Sequence, residues 1–176
     1  MCSSSTSMTS RKSSTVPEHP AVNASPLIFL AKAGLIDLLQ LVSERIIVPA
    51  PVAAELKRRG PTDPTVRVLN ETEWLTVTET PPMAPVISSW DLGAGESSVL
   101  AWCYAHSGSV AIVDDLTARR CAAALGIPVR GTLGLVLLAK RHGRVPLARP
   151  IIEVLVESGM YLSRPVIDKA LALVGE

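Results

Sequence analysis

The sequence predicts an α/β protein built on a parallel, doubly wound sheet with helices on both faces, and three observations carry that expectation. Short apolar runs alternate along the chain with stretches of helical periodicity, the order of repeated βαβ units. The most legible unit is AIVDDLTARRCAAALGIPVRG, residues 111–131. There an apolar run, Val110 to Val113, ends in Asp114 and Asp115, a helical stretch follows, and a second apolar run spans Ile127 to Val129. Hydrophobic residues make up 48% of the 176, rich enough for a sheet covered on both faces. That length suits one domain with its own core, expected over residues 21–176.

The first twenty residues, MCSSSTSMTSRKSSTVPEHP, are rich in Ser and Thr and are expected to be a disordered tail. They hold no apolar segment of the kind a secretory signal needs. Order is expected from Ala21-Val22, a short strand with Asn23 as its last residue. Ser25-Pro26 then reads as N-cap and first helical residue. Gly34 breaks that helix, and a second runs through Leu41. Ile46 to Val48 is the next strand, and the following helix has Pro51 early, carries Glu55 and ends in Lys57, Arg58, Arg59 and Gly60, as the dipole and C-cap favour.

Residues 61–90 are less legible, with a short helix over Thr65 to Leu69 and an edge strand over Trp74 to Val77. TPPMAPVISSWDLGAGE is read as a loop leading into a helix from Glu96 to Ala105. Beyond the central unit, Thr132 caps an apolar helix to about His142. Helices over 146–158 and 163–174 complete the chain, and their apolar residues Ile151, Ile152, Leu155 and Val156 serve either a core or an interface.

Charge is informative by distribution. The net charge of +1 points to no partner, but residues 116–150 carry Arg119, Arg120, Arg130, Lys140, Arg141, Arg144 and Arg149 without one Asp or Glu. Aromatics are only 3%, so stacking of bases on aromatic platforms is not expected. Cys2, Cys103 and Cys121 have no metal-ligand spacing and fit a reduced, cytoplasmic compartment. No apolar stretch approaches the ~18 residues of a membrane span.

Polar residues collect at element junctions. Asn23 ends the first strand, Asp114 and Asp115 end another, Glu96 opens a helix and Glu55 lies one turn into one. Where those two strands are neighbours, their ends converge on one cleft, the place where open α/β sheets do their chemistry. Carboxylates gathered in a partly dry cleft repel one another, and a hard divalent cation, Mg²⁺ or Mn²⁺, relieves the repulsion. Each residue also has a plainer role. Asp115 serves as N-cap of a helix from Leu116, Glu96 suits a helix dipole, Glu55 pairs with Arg58, and Asn23 forms an Asx turn. Asp114 gains nothing from capping. The histidines have no ligand spacing, no G-x-S-x-G elbow is present, and DLGAGE lacks the third glycine of a dinucleotide fingerprint.

The runs VNASPLIFLAKAG, VPAPVAAEL, WDLGAGESSVLAWC and IVDDLTARRCAAALGIPVRGTLGLVLLAKRHG resemble the PIN domain over about residues 21–175. They are similar in particular to the compact prokaryotic subfamily described as predicted nucleic-acid-binding, which includes VapC-like ribonuclease toxins. The resemblance implies a Rossmann-like parallel sheet with extra C-terminal helices and a Mg²⁺- or Mn²⁺-dependent ribonuclease, often the toxin of a toxin–antitoxin pair. It implies catalytic roles for Glu55, Glu96, Asp114 and Asp115, metal ligation by Asn23, Glu96, Asp114 and Asp115, and a supporting hydroxyl at Ser25. It also implies a small antitoxin partner and a homodimer.

Asn23 departs from the pattern, which has Asp at that position. An amide oxygen still ligates a cation, but one negative charge is lost. The leading expectation is hydrolysis of RNA phosphodiester bonds, with Arg119, Arg120 and Arg130 on the phosphate backbone. The competing expectation is a catalytically impaired PIN module that binds RNA or a protein partner. A small nucleotide-binding protein is a third, disfavoured by the missing phosphate loop.

Overall fold

The structure is a computed structural model that describes residues 19–176. The expected tail thus lies, apart from His19 and Pro20, outside the described residues. Five strands form one parallel sheet in the order β3-β2-β1-β4-β5. They are β1 (Ala21–Val22), β2 (Ile46–Pro49), β3 (Leu75–Thr78), β4 (Ala111–Ile112) and β5 (Val129–Arg130). The chain moves outward from β1 to β3, then returns to the other side of β1 for β4 and β5. The reversal places a topological switch point between β1 and β4, where the registers Ala21–Ala111 and Val22–Ile112 pair.

The short strands are extended by further backbone bonds. Asn23 N–H donates to the Ile112 carbonyl at 3.0 Å, Val113 N–H to Arg130 at 3.0 Å, and Ala111 N–H to Pro128 at 2.9 Å. These bonds fix how far Asn23 and Asp114 protrude from the sheet. They also explain why the last strand is centred one residue later than the apolar run Ile127 to Val129 suggests, since Pro128 and Arg130 supply its paired carbonyls.

Burial follows the sequence pattern. Ala21, Val22, Ile46, Val48, Ala111, Ile112 and Val113 are inaccessible, as parallel strands covered on both faces require. β3 is less covered, Leu75 buried, Val77 exposed and the threonines between and after them half-buried, and it sits at the edge as expected.

The helices are α1 (Ala24–Lys32), α2 (Ala50–Lys57), α3 (Pro64–Glu71), α4 (Pro85–Ser88), α5 (Ala94–Ala105), α6 (Leu116–Ala124), α7 (Thr132–Arg141), α8 (Arg149–Glu157) and α9 (Arg164–Ala172), with a 3₁₀ helix at Ile36–Leu41. Several ends differ from expectation. α1 starts after Asn23, which takes the N-cap position in place of Ser25, because the bond from Asn23 N–H to the Ile112 carbonyl of β4 ends the strand there. α5 begins at Ala94 with Gly93 as cap, so Glu96 is its third residue. Gly131, not Thr132, caps α7. The supposed loop contains the single turn α4, too short to show a period, anchored by the fully buried Ile87. In α8 the apolar residues divide: Ile152 and Leu155 join the core, while Val156 stays exposed. Among the described residues no helix is long and apolar enough to cross a membrane. Cys103 and Cys121 are free and buried, and burial pushes the Cys103 thiol up to about 12.

Candidate active site

Asn23 occupies the N-cap of α1 but does not cap it. A capping Asn accepts from the first-turn amides through Oδ1. Here Nδ2 instead donates to Glu96 Oε1 at 2.8 Å, across 73 residues of sequence, and Oδ1 is buried without a partner. The residue is 2% exposed. The α5 N-terminus comes this close because Gly95 has no side chain. A Cβ there would stand 2.7 Å from Asn23 Oδ1 and 3.2 Å from Glu55 Oε2. Glu55, on α2, therefore reaches the same point from the exposed side. Asn23, Glu55 and Glu96 gather around one glycine.

Asp114 follows β4 and is held from α7. Its Oδ1 accepts from Thr132 N–H and its Oδ2 from Thr132 Oγ1, both at 2.7 Å. Thr132 is fully buried, so the carboxylate is fixed by a side chain that cannot rotate into water. Burial pushes the Asp114 carboxyl above its ordinary value, opposed by the two Thr132 bonds and the nearby Arg119 guanidinium. Gly131 makes room between these charges. A Cβ on it would lie 2.6 Å from Arg119 Nη1 and 3.0 Å from Asp114 Oδ1. Asp115 is the N-cap of α6, its Oδ1 accepting from Ala118 N–H at 2.7 Å, so the capping role is real.

Glu96, Asp114 and Asp115 line one cavity of about 780 Å³ together with Ser25 and Arg119. The rest of its apolar lining comes from Phe29, Leu116, Leu133, Met160, Tyr161, Leu162 and Val166. A smaller recess of about 230 Å³ shares Glu96 and Asp115 and adds Asp91 and Thr117. A third, of about 350 Å³, shares Arg119 and adds Arg130 and Lys169. Arg120 is exposed on α6 and lines none of the three. Lys140, from the basic block, pairs with Glu176 at 3.4 Å. A groove of about 680 Å³ along α8 and α9 shares only Leu162 with the main cavity and holds none of the four candidate acids.

Three residues that matter to this geometry carry no charge and were not singled out as part of the site. Gly95 and Gly131 permit the two close approaches, and Thr132 orients Asp114. The available signal was the place of Gly95 in GAGE, directly before Glu96, and of Gly131 and Thr132 in RGT, directly after the last strand. The carboxylates of Glu96, Asp114 and Asp115 and the Ser25 hydroxyl that line the cavity are oxygen donors, which suits a hard dication. Among the described residues no three His, Cys, Asp or Glu side chains converge as a ready-made metal group. Mg²⁺ ordinarily takes only one or two carboxylates and keeps several waters. Glu96 and Asp114, which line one cavity, fit that mode of binding; Asn23, with its orphaned Oδ1, bonds Glu96 but, like Glu55, does not itself line the cavity.

The family comparison agrees with this architecture. Residues 20–176 match the DUF3368 family, described as a PIN domain. PIN domains are typically nucleases, hydrolases that act on nucleic acids and generally use divalent metal ions. No curated protein shows a significant match to the chain. With a five-stranded parallel sheet, acids at its switch point and a match that spans all but the start of the sequence, the chain belongs to the PIN-domain family.

Proposed function

We propose that the chain is a divalent-metal-dependent endoribonuclease, with Mg²⁺ or Mn²⁺ as cofactor, and the toxin of a toxin–antitoxin pair. The observation that carries the nuclease reading is that Glu96, Asp114 and Asp115 line one cavity together with Arg119. Glu96 and Asp114, helped by the Asn23 amide oxygen, are the groups to hold the ion. A divalent ion bound there lowers the pKa of water and stabilises charge on the leaving oxygen. Thr132 keeps Asp114 in one rotamer, so the carboxylate does not swing away when phosphate enters. Asp115 has one oxygen engaged by the cap and the other free to accept a proton from an attacking water. Arg119 sets the phosphate against these carboxylates, with Arg130 along the adjoining recess.

The toxin assignment, an antitoxin partner, a homodimer and a cytoplasmic location rest on family resemblance. They are tested by purifying the protein from its native host and identifying what accompanies it. The nuclease reading is tested by incubating purified protein and RNA with Mn²⁺ or with chelator. Cleavage that requires Mn²⁺ supports it, and intact RNA in both is the opposing result.

A second reading has its own observation. Asn23 satisfies Glu96 with an internal hydrogen bond, where an Asp would leave two carboxylates needing a cation. On that reading the chain is a catalytically impaired PIN module that binds RNA or a protein. Calorimetric titration with Mn²⁺ separates the two, since a binding-only module takes up no ion at the cavity.

A further inference from the structure

We propose that Tyr161 is a stacking platform for an unpaired base of single-stranded RNA whose backbone crosses the acid cavity, an inference that rests on the nuclease reading above. The connection between α8 and α9 brings Met160, Tyr161 and Leu162 into the lining of the cavity that Glu96, Asp114 and Asp115 also line. Met160 is buried and anchors the connection, whereas Tyr161 beside it is 90% exposed. A ring so fully in water contributes nothing to the chain's own core. Leu116, 60% exposed, and Val166, 44% exposed, line the same cavity and add apolar surface.

The occupant follows from the combination. Arg119 offers a cation for a phosphate, the carboxylates mark where a bound ion would meet it, and the apolar residues of the same cavity offer surface for a base. A cavity of about 780 Å³ lies within the range of small-molecule sites and admits a nucleotide. In duplex RNA the base faces are stacked inside the helix, so only a splayed single strand can present one to Tyr161. Stacking tolerates any base, which gives strand selectivity without sequence selectivity. The low aromatic content argued against such a platform, but the position of this one ring outweighs the tally.

The test is fluorescence anisotropy of a short labelled single-stranded RNA of mixed sequence, titrated in chelator with the full-length wild type and variants. Tyr161→Ala is expected to weaken binding about 5- to 100-fold, with Tyr161→Phe close to wild type. The salt dependence separates stacking from charge. Tyr161→Ala leaves the slope of log affinity against log salt unchanged, while Arg119→Ala lowers it by about one. Wild-type affinity in Tyr161→Ala overturns the proposal. An equal loss toward duplex RNA does the same, as does a wild type that binds no RNA, which leaves the wall as a protein-docking face. RNA bound through Tyr161 but never cut in Mn²⁺ removes the nuclease reading and keeps the platform. Cutting that is indifferent to Tyr161 does the reverse.

Discussion

At the scale of the residue, Asn23 and Asp114 face opposite electrostatic situations, and each gives a prediction. Asn23 bridges to Glu96 by a hydrogen bond that an Asp cannot donate. Asn23→Asp is therefore expected to cost about 1–3 kcal/mol of ion-free stability, from the lost bond and the new carboxylate repulsion. Mn²⁺ should restore more in this variant than in wild type, read as a larger rise in melting temperature on titration. Asp114 is a buried acid whose pKa is raised, so its stabilising contribution is complete below the ordinary Asp pKa and lost as pH rises through the raised value. Asp114→Asn keeps an acceptor for Thr132 N–H and offers a donor to Thr132 Oγ1, without forming the charge. In chelator its melting temperature should lie above wild type at neutral pH, and the two should converge toward pH 4. A variant less stable than wild type at neutral pH would show that the ionised carboxylate is a structural asset.

At the scale of the element, the site is a matter of how close two helix starts come to two strand ends. α5 reaches Asn23 only because Gly95 is bare, and α7 presents Thr132 to Asp114 only because Gly131 is. Gly95→Ala should overpack this junction at a cost of about 1–3 kcal/mol, measured by urea unfolding. The nearer oxygen, at 2.7 Å, belongs to the buried Asn23, so little relaxation is available there, whereas Glu55 Oε2 at 3.2 Å sits on an exposed side chain that can give way. Thr132→Val preserves the volume but removes the hydroxyl and should weaken Mn²⁺ binding about 10- to 100-fold, as loss of a ligand-orienting bond does. Unchanged Mn²⁺ affinity in Thr132→Val would show that Asp114 is held well enough by the Thr132 backbone alone.

At the scale of the whole molecule, the sheet was legible because parallel strands buried on both faces must be continuous apolar runs. Ile46 to Val48 and Val110 to Val113 stand out for that reason. The edge strand over Trp74 to Val77 was legible as well, and the cleft from the acids that stop the runs. What the sequence withheld depends on contacts distant along the chain. Ser25-Pro26 is the stronger local cap signal, yet the pairing of Asn23 with β4 decides where α1 starts. Asp115 showed both of its readings, cap and cavity acid, because it is both. The apolar lining was illegible, since nothing near Tyr161 in sequence indicates that the chain returns to the cavity that Asp114 lines. The C-terminal helices proved to be partly core, through Ile152 and Leu155, and partly wall of the cavity through the connection between them.

The central claim is that Asp114 and its neighbours hydrolyse RNA with a divalent ion, and a single time course addresses it. Single-stranded RNA is incubated in Mn²⁺ with wild type, Asp114→Ala and Asn23→Asp at equal concentration. The account predicts cleavage by wild type, none by Asp114→Ala, and faster cleavage by Asn23→Asp as the missing charge is restored. RNA left intact by wild type and by Asn23→Asp alike would contradict it.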